Sequence, residues 1–405
     1  MPSINMQLAS YSDLFMLIAA LIYAAAFIVF ALDMATSSKT IRTLEAELAD
    51  ESSDGASREA RTAVAQRRGE SGRGELGRGE LVGAGVGPSE AENSTTAEPA
   101  PSTAASGSAF GPAEGRLDGR IGGAPDGAAA GAGGDSGDGL VDDDMAYLGT
   151  TRRPAANVAV ALMVVGALVH AFAVIARGVA AQRVPWANMY EFCTTGALLV
   201  CSVYLLFLIR KDVRFLGTFV SGLVVIMMCA ATMGFPTPIA HLQPPLQSPW
   251  IVIHVSIAVL ASSLFTLTFA MSVLQLIQSR RQARMRAGGS GKPAFMQLVP
   301  PALSLENWAY RINAVGFVMW TFTLIAGAIW AEQAWGRYWG WDTKEVWTFV
   351  IWVVFAGYLH ARATRGWTGE RAAWLSIIGF ACLVFNFAVV NTVFPGLHSY
   401  AGLPE

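Results

Sequence analysis

Apolar residues in this chain gather into long unbroken runs and do not alternate with polar ones. Eight such runs occur, at 14–32, 155–175, 189–209, 215–233, 251–277, 309–330, 346–360 and 372–393. A helix rises ~1.5 Å per residue, so about twenty apolar residues cross the hydrocarbon core of a bilayer. Half-buried strands would show alternation instead. The pattern predicts an all-α integral membrane protein, a polytopic bundle of about eight transmembrane helices. The first run has no basic stretch before it and no small-residue cleavage site after it, which makes it a retained helix and not a signal peptide.

Between 36 and 153 the pattern vanishes. Stretches such as RRGESGRGELGRGELVGAGVG and GGAPDGAAAGAGGDSGDG lack apolar periodicity, and such a segment cannot bury enough apolar surface to offset its ordering entropy. A disordered linker is expected, with a short helix near KTIRTLEAELADE, where Ile41, Leu44 and Leu48 share a face. The chain then divides into an N-terminal transmembrane helix (1–35), a Gly/Ala/Glu/Arg-rich linker (36–153), and a transmembrane domain (154–402) with a tryptophan-rich loop at 331–347.

Composition agrees with a membrane protein, with 53% of residues hydrophobic and 14% charged. The net charge of −2, with arginines in short blocks between apolar runs, argues against a nucleic-acid partner and leaves membrane lipid as the surroundings. Those blocks set orientation. Lys39 and Arg42, Arg152 and Arg153, Arg210, Lys211 and Arg214, RRQARMR (280–286) and RATRGWTGER (362–371) fall on one side if all eight runs span. That side is the cytoplasm, so the linker is cytoplasmic, and both termini and the tryptophan loop are extracytoplasmic. Arg177 and Arg183 fall on the other side, against the rule, and are candidates for holding an anionic ligand. Cys193, Cys201, Cys229 and Cys382 lie inside apolar runs without a C-x-x-C and read as small buried hydrophobes.

Candidate chemistry concentrates at WGRYWGWDTKEVW (335–347). Aromatic belts at membrane interfaces account for many tryptophan-rich stretches, but a belt does not need Gly336, Gly340, Asp342, Lys344 and Glu345 among its indoles. His254 lies at the outer mouth of the fifth run and His398 just beyond the eighth, on the same side as this loop. Two neutral imidazoles can ligate the iron of a flat porphyrin from opposite faces, while indoles carry the ring and basic groups meet its propionates. His170 and His360 lie inside apolar runs, where an ionisable side chain is costly and usually faces a partner. They form a second candidate bis-imidazole pair, although His170 counts toward the outer half of its run and His360 toward the inner end. His241, set among prolines, reads as a satisfied interfacial residue. Glu191 in PWANMYEF (185–192) either opens a helix or, if buried, has a functional role.

WGRYWGWDTKEVW resembles the WWD signature of the haem-handling membrane proteins of cytochrome c maturation, the CcsA/ResC type, called CcsB in some bacteria. PWANMYEF, LQSPWIVIHV, YLHAR and NTVFPGLHSY are similar to that family's motifs in the family's order, from about 155 to 402. The resemblance implies that His254 and His398 ligate haem b (iron protoporphyrin IX) over the loop at the outer face of a bacterial cytoplasmic membrane. It implies that His170 and His360 hold haem on its way through the bilayer. It implies holocytochrome c synthase (haem lyase) activity, joining haem vinyl groups to the thiols of a C-x-x-C-H motif in apocytochrome c, in complex with a ResB-type membrane partner. Trp335, Trp339 and Trp341 are then expected to form the platform, Asp342 to order the loop, and Arg337 or Lys344 to pair with a propionate. The linker matches no motif of the family.

Three other readings compete. A membrane electron carrier with two bis-histidine haems is disfavoured because the four histidines lie on four different segments. A haem exporter without ligase activity and a structural scaffold with an aromatic belt remain, separable by reconstitution and by the colour of the pure protein.

Overall fold

The computed structural model describes residues 4–74, 153–364 and 367–398. The chain divides into two compact units, Met1–Ala49 with Asp138–Glu405, and Asp50–Gly137. The described part of the second unit is helix as far as Gly74. All that follows concerns the first unit.

Every apolar run becomes a helix, and eight helices among the described residues are long and apolar enough to cross a membrane. They are built on α1 (Met6–Gly74), α2 (Pro154–Ala181), α3 (Met189–Arg210), α4 (Gly217–Cys229), α5 (Pro249–Arg286), α6 (Ala302–Trp335), α7 (Thr343–Ala363) and α8 (Glu370–Phe385), with the spans at α4 and α8 completed by flanking turns to Arg214–Gly234 and Glu370–Val393. The chain is an all-α multi-pass membrane protein. Two helices end in π-helical turns, Ala230–Gly234 after α4 and Asn386–Val390 after α8. The expectation for 36–153 needs correction at its start. α1 continues without a break to Gly74, so the short helix expected near KTIRTLEAELADE is part of a longer one; residues 75–152 lie outside the described residues.

Local chemistry sets the ends. The Asn188 side chain accepts the Glu191 N–H at 2.9 Å and starts α3. Ser248 caps α5, its hydroxyl accepting the Trp250 N–H at 3.2 Å with Pro249 in the first turn, the position where a missing N–H costs nothing. α5 has 38 residues, ~57 Å at ~1.5 Å per residue against a hydrocarbon core of ~30 Å. Its surplus turns carry Arg280, Arg281, Arg284 and Arg286, beyond the apolar run.

α5 is the most buried of the spans and packs most extensively on α6. Around it lie two apolar cores. One joins α1 to α4 with the middle of α5 through Tyr23, Phe30, Tyr204 and Leu274. The other joins α5 to α8 through Phe265, Trp320, Phe355 and Phe380, with the Phe265 and Phe355 rings stacked at 3.8 Å.

The two ends of the bundle differ. At one end, the loop end, Asn5 N–H bonds the Ala180 carbonyl, Ser248 Oγ meets Gln333 Oε1 at 2.6 Å, and Leu397 N–H bonds Asp342. At the other end Arg153 pairs with Asp33, Arg214 with Asp212 and Arg362 with Glu306. Arg177 and Arg183, the exceptions to the charge rule, sit at the loop end. Both are tied to Glu191, which is fully buried: Arg177 Nε donates at 3.0 Å, Arg183 Nη1 and Nη2 at 2.7 and 2.9 Å, and the Ala187 N–H at 2.8 Å. Arg177 also donates to the Thr237 carbonyl at 2.7 Å. Their charge is met inside the protein, which explains why they escape the rule and removes the expectation of an anionic ligand there. Cys193 and Cys201 are buried as expected, but Cys229 is exposed on α4 and Cys382 half-buried on α8; all four are free.

Candidate functional site

The loop between α6 and α7 is ordered from within. α6 stops at Gly336, whose left-handed φ of 69° is cheap only without a Cβ. α7 starts with a capping box: Asp342 accepts the Lys344 N–H, and the Glu345 carboxylate accepts the Asp342 N–H at 3.0 Å. Glu345 also takes the Gly340 N–H at 2.8 Å and Arg337 Nη1 at 3.3 Å. Asp342 then reaches outside the loop. Its Oδ1 accepts the Leu397 N–H at 3.1 Å and its Oδ2 lies 2.7 Å from His398 Nδ1, so one carboxylate fixes the loop and the segment after α8 together.

His254, in the second turn of α5, faces one stripe of α6. Its Nδ1 lies 2.9 Å from the Thr323 carbonyl oxygen, which can only accept, so Nδ1 carries the proton and Nε2 is left with a free lone pair. Four residues on, Gly327 makes room, since a Cβ there would stand 2.7 Å from the imidazole Cε1. Three further on, Trp330 stacks on the imidazole at 6.0 Å with an interplanar angle of 9°.

His398 meets the same indole edge to face at 5.5 Å, and meets Trp335, also edge to face, at 4.9 Å. Its Nδ1 is engaged by Asp342, and Nε2 is again the free nitrogen. Burial lowers the His398 pKa, with Asp342 opposing, and the hydrogen bond from His398 holds the Asp342 carboxyl below the usual carboxylate range. A neutral imidazole with Nδ1 oriented by a carboxylate or carbonyl is the arrangement found around metal-ligating histidines.

Both histidines line one cleft of about 770 Å³, counting the part open to solvent, and a second lobe of about 440 Å³ beneath the loop. α7 and the end of α8 give the cleft a polar wall of Lys344, Thr348, Asn386 and Asn391, with Lys344 Nζ bonded to Asn391 Oδ1. The turn at 244–246 and the start of α5 give an apolar wall of Leu246, Ile251 and Val255. Two buried polar atoms on the lining, Trp186 Nε1 and Asn386 Oδ1, have no hydrogen-bond partner among the described residues. Such orphans are costly in a dry site and mark where a ligand makes its own hydrogen bonds. Two free Nε2 atoms, aromatic faces and one polar wall suit a flat apolar macrocycle with an acidic edge and a central metal.

The structure brings His254, His398, Trp335, Trp339, Asp342 and Lys344 to this cleft or its second lobe. Arg337 lies at the rim, paired with Glu345 and 5.7 Å above the Trp335 ring. Trp341 stands apart: its backbone is left-handed, with φ of 60°, and 75% of the residue is exposed, edge-on to Trp339. Trp330, which touches both imidazoles, is the ring missed by the sequence reading, together with Thr323, Gly327, Asn386 and Asn391. The signal for three of them was present, because Thr323, Gly327 and Trp330 fall at i, i+4 and i+7 on one helical face.

His170 and His360 are not brought together. His170 is fully buried, with Nδ1 3.4 Å from the Tyr23 hydroxyl of α1 and Nε2 without a hydrogen-bond partner among the described residues. His360 is exposed in the last turn of α7, and no hydrogen bond or ring contact links the two. By helix rise His170 lies roughly 17 Å below the loop end of α2 and His360 roughly 26 Å below that of α7.

With this geometry in place, likeness to known proteins identifies the family. A family model described as "Cytochrome C assembly protein" matches residues 186–398, a span that contains the cleft and both of its histidines. Similar proteins include the cytochrome c biogenesis protein CcsA of Guillardia theta, 35% identical over 54% of this chain and 77% of its own length. The CcsA proteins of Synechococcus elongatus and Microcystis aeruginosa are 34% and 32% identical, over 81% and 86% of their lengths and 56% and 60% of this chain. The chain therefore belongs to the cytochrome c assembly protein family, in its CcsA-type branch.

Proposed function

We propose that this chain binds haem b between His254 and His398 and presents it for covalent attachment to apocytochrome c. The observation that carries the reading is the pairing of tautomers: two imidazoles on one cleft, each with Nδ1 engaged and Nε2 free. Haem is the cargo here, and the reaction adds a substrate thiol across a vinyl group. The new S–C bond forms at one vinyl carbon, the thiol hydrogen ends on the other, and no electrons are exchanged with an outside partner. The chain supplies no thiol at the cleft, so its share is proximity and orientation.

In this reading Trp330 and Trp335 hold the two imidazoles in place, and Trp339 closes the second lobe from above. Asp342 holds His398, while Lys344 meets a propionate with Asn391 and Asn386 beside it. Arg337 takes the second propionate only on leaving Glu345. Trp341, on the exposed tip, faces the incoming protein. The loop and both termini are extracytoplasmic, in a bacterial cytoplasmic membrane, and a ResB-type membrane protein completes the synthase. A haem held by His170 and His360 within the bilayer requires Tyr23 and α1 to move off His170.

The test is an absorption spectrum of the purified full chain, alone and with His254→Ala or His398→Ala. A bis-imidazole b-type spectrum that weakens in each variant and returns with added imidazole is expected. A colourless wild-type protein, or covalent attachment undiminished in the double variant, would overturn the reading.

A further inference from the structure

Beside the haem cleft lies a separate groove of about 790 Å³, counting its open part, lined by Arg183, Val184, Trp186, Leu242, Leu246 and Val252 among others. Trp186, Leu246 and Ile251 belong to both hollows, so one thin wall divides them. We propose that this groove receives the apocytochrome segment carrying the C-x-x-C-H thiols, as an extended chain laid along Trp186. The proposal rests on the haem reading above.

Three observations point there. First, the cleft has a direction. Protoporphyrin carries its carboxylates on one edge and its vinyl groups away from them. The polar wall of Lys344, Asn386 and Asn391 takes the carboxylates, which turns the apolar vinyl edge toward the wall of Leu246 and Ile251. A thiol that reaches a vinyl carbon arrives through that wall, from the groove.

Second, the groove offers unmet backbone and side-chain donors. The N–H of Leu242, on the groove lining, donates no hydrogen bond within the described residues, nor do those of Ile239, Ala240, His241 and Gln243, which adjoin it outside that lining. This stretch is neither helical nor paired, and Gln243 is extended, with φ of −62° and ψ of 148°. The buried Nε1 of Trp186 is likewise without an acceptor. Free main-chain donors beside an apolar trough are what a peptide in extended form uses, its carbonyls bonding the edge and its side chains filling the trough.

Third, charge excludes an anionic occupant. Arg183 is the cation on the groove, and it is held by Glu191 through two nitrogens at 2.7 and 2.9 Å and by the Ala240 carbonyl at 3.1 Å. A phosphate or a lipid headgroup would have to break that buried clamp. A neutral peptide does not.

The experiment uses the full chain co-expressed with its membrane partner and an apocytochrome c. Leu242→Asp makes the trough hostile to an apolar segment at a position outside the lining of the haem cleft. The bound-haem spectrum is expected to stay, while covalent attachment falls by about tenfold or more, ~1.4 kcal/mol of lost binding. Attachment at the wild-type level overturns the proposal. If Leu242→Asp loses the haem spectrum, Leu242→Cys decides: with a thiol oxidant it should form a disulfide with the C-x-x-C-H cysteines, absent with the unsubstituted chain and with an A-x-x-A-H apocytochrome. A Leu242→Cys chain that keeps haem but traps nothing, or traps the membrane partner instead, also overturns it. A wild-type chain without haem would sink the haem reading itself, a result distinct from all of these.

Discussion

The Nδ1 of His398 stands 2.7 Å from the Oδ2 of Asp342, and the carboxylate that orients this imidazole is also the residue that starts α7. Capping and ligand orientation are therefore one bond network. Asp342→Ala should cost about 1 kcal/mol of stability as a lost cap and, separately, about 10- to 100-fold in haem retention as a lost orienting group. Asp342→Asn keeps an acceptor for the imidazole N–H and should fall between. Thermal unfolding and haem titration of the two variants check this. Equal haem retention in wild type and Asp342→Ala would show that the contact does not orient a ligand.

The same pair predicts a direction with pH. Asp342 has its pKa lowered by the hydrogen bond from His398, so its contribution is present above the unfolded carboxylate value near ~4 and is lost as pH falls through the folded value. His398 is lowered mainly by burial. Its neutral form is favoured in the fold, and below ~6.5 the unfolded chain binds the proton first, so stability declines from there downward. The segment ending in His398 should thus hold at pH 7 to 8 and loosen on acidification, imidazole first and carboxylate last. Hydrogen exchange of the Leu397 amide, corrected for intrinsic rate, measures it; constant protection from pH 8 to 4 would contradict the assignment.

Gly327 is predicted to be intolerant of any side chain. A Cβ would meet His254 at 2.7 and 2.8 Å, so the imidazole has to leave the Thr323 carbonyl and turn into the cleft. Gly327→Val should leave the bundle folded and remove most bound haem. Gly357→Ala on α7, where nothing lies within 4 Å of the new Cβ, is the control and should gain up to about 0.8–1 kcal/mol of helix stability. Unchanged absorbance in Gly327→Val would mean that His254 moves freely.

Glu191 is fully buried between two arginines. Glu191→Gln leaves Arg177 and Arg183 with their charge uncompensated, and removing one partner of a buried pair typically costs about 3–5 kcal/mol. A large drop in melting temperature and yield is expected, with the haem spectrum of the surviving protein intact. A melting temperature within about 2 °C of wild type would mean that water or Asp13, whose Oδ1 lies 3.4 Å from Arg177 Nη1, takes over the charge.

Much of this was legible in advance because membrane spans declare themselves by length and apolarity. All eight runs became helices, and His254, His398 and Asp342 met at one end because chain direction alone puts them there. Three things were not legible. The continuation of α1 past Ile41 depends on helix propagation through a polar stretch, which hydropathy does not report. Trp330 was counted as the last residue of a span, although its spacing from Thr323 and Gly327 places it on the histidine face. The Tyr23 hydroxyl of α1 set against His170 is a tertiary contact with no local signature, whereas the difference in depth between His170 and His360 already showed in their positions along the runs.

The π-helical turn at Asn386–Val390 makes the exit of α8 a matter of counting. One extra residue in a turn offsets everything after it by about 100° relative to an unbroken α-helix. Asn386 opens that turn and Asn391 follows it, both face the cleft, and the distance in sequence from Phe385 to His398 is thereby fixed to the residue. Deleting one residue within 386–390 would let the helix regularise and swing the following segment away from Asp342. Such a deletion should melt like the wild type and bind no haem; full haem binding would show that the tether from α8 to His398 is slack and that its length carries no information.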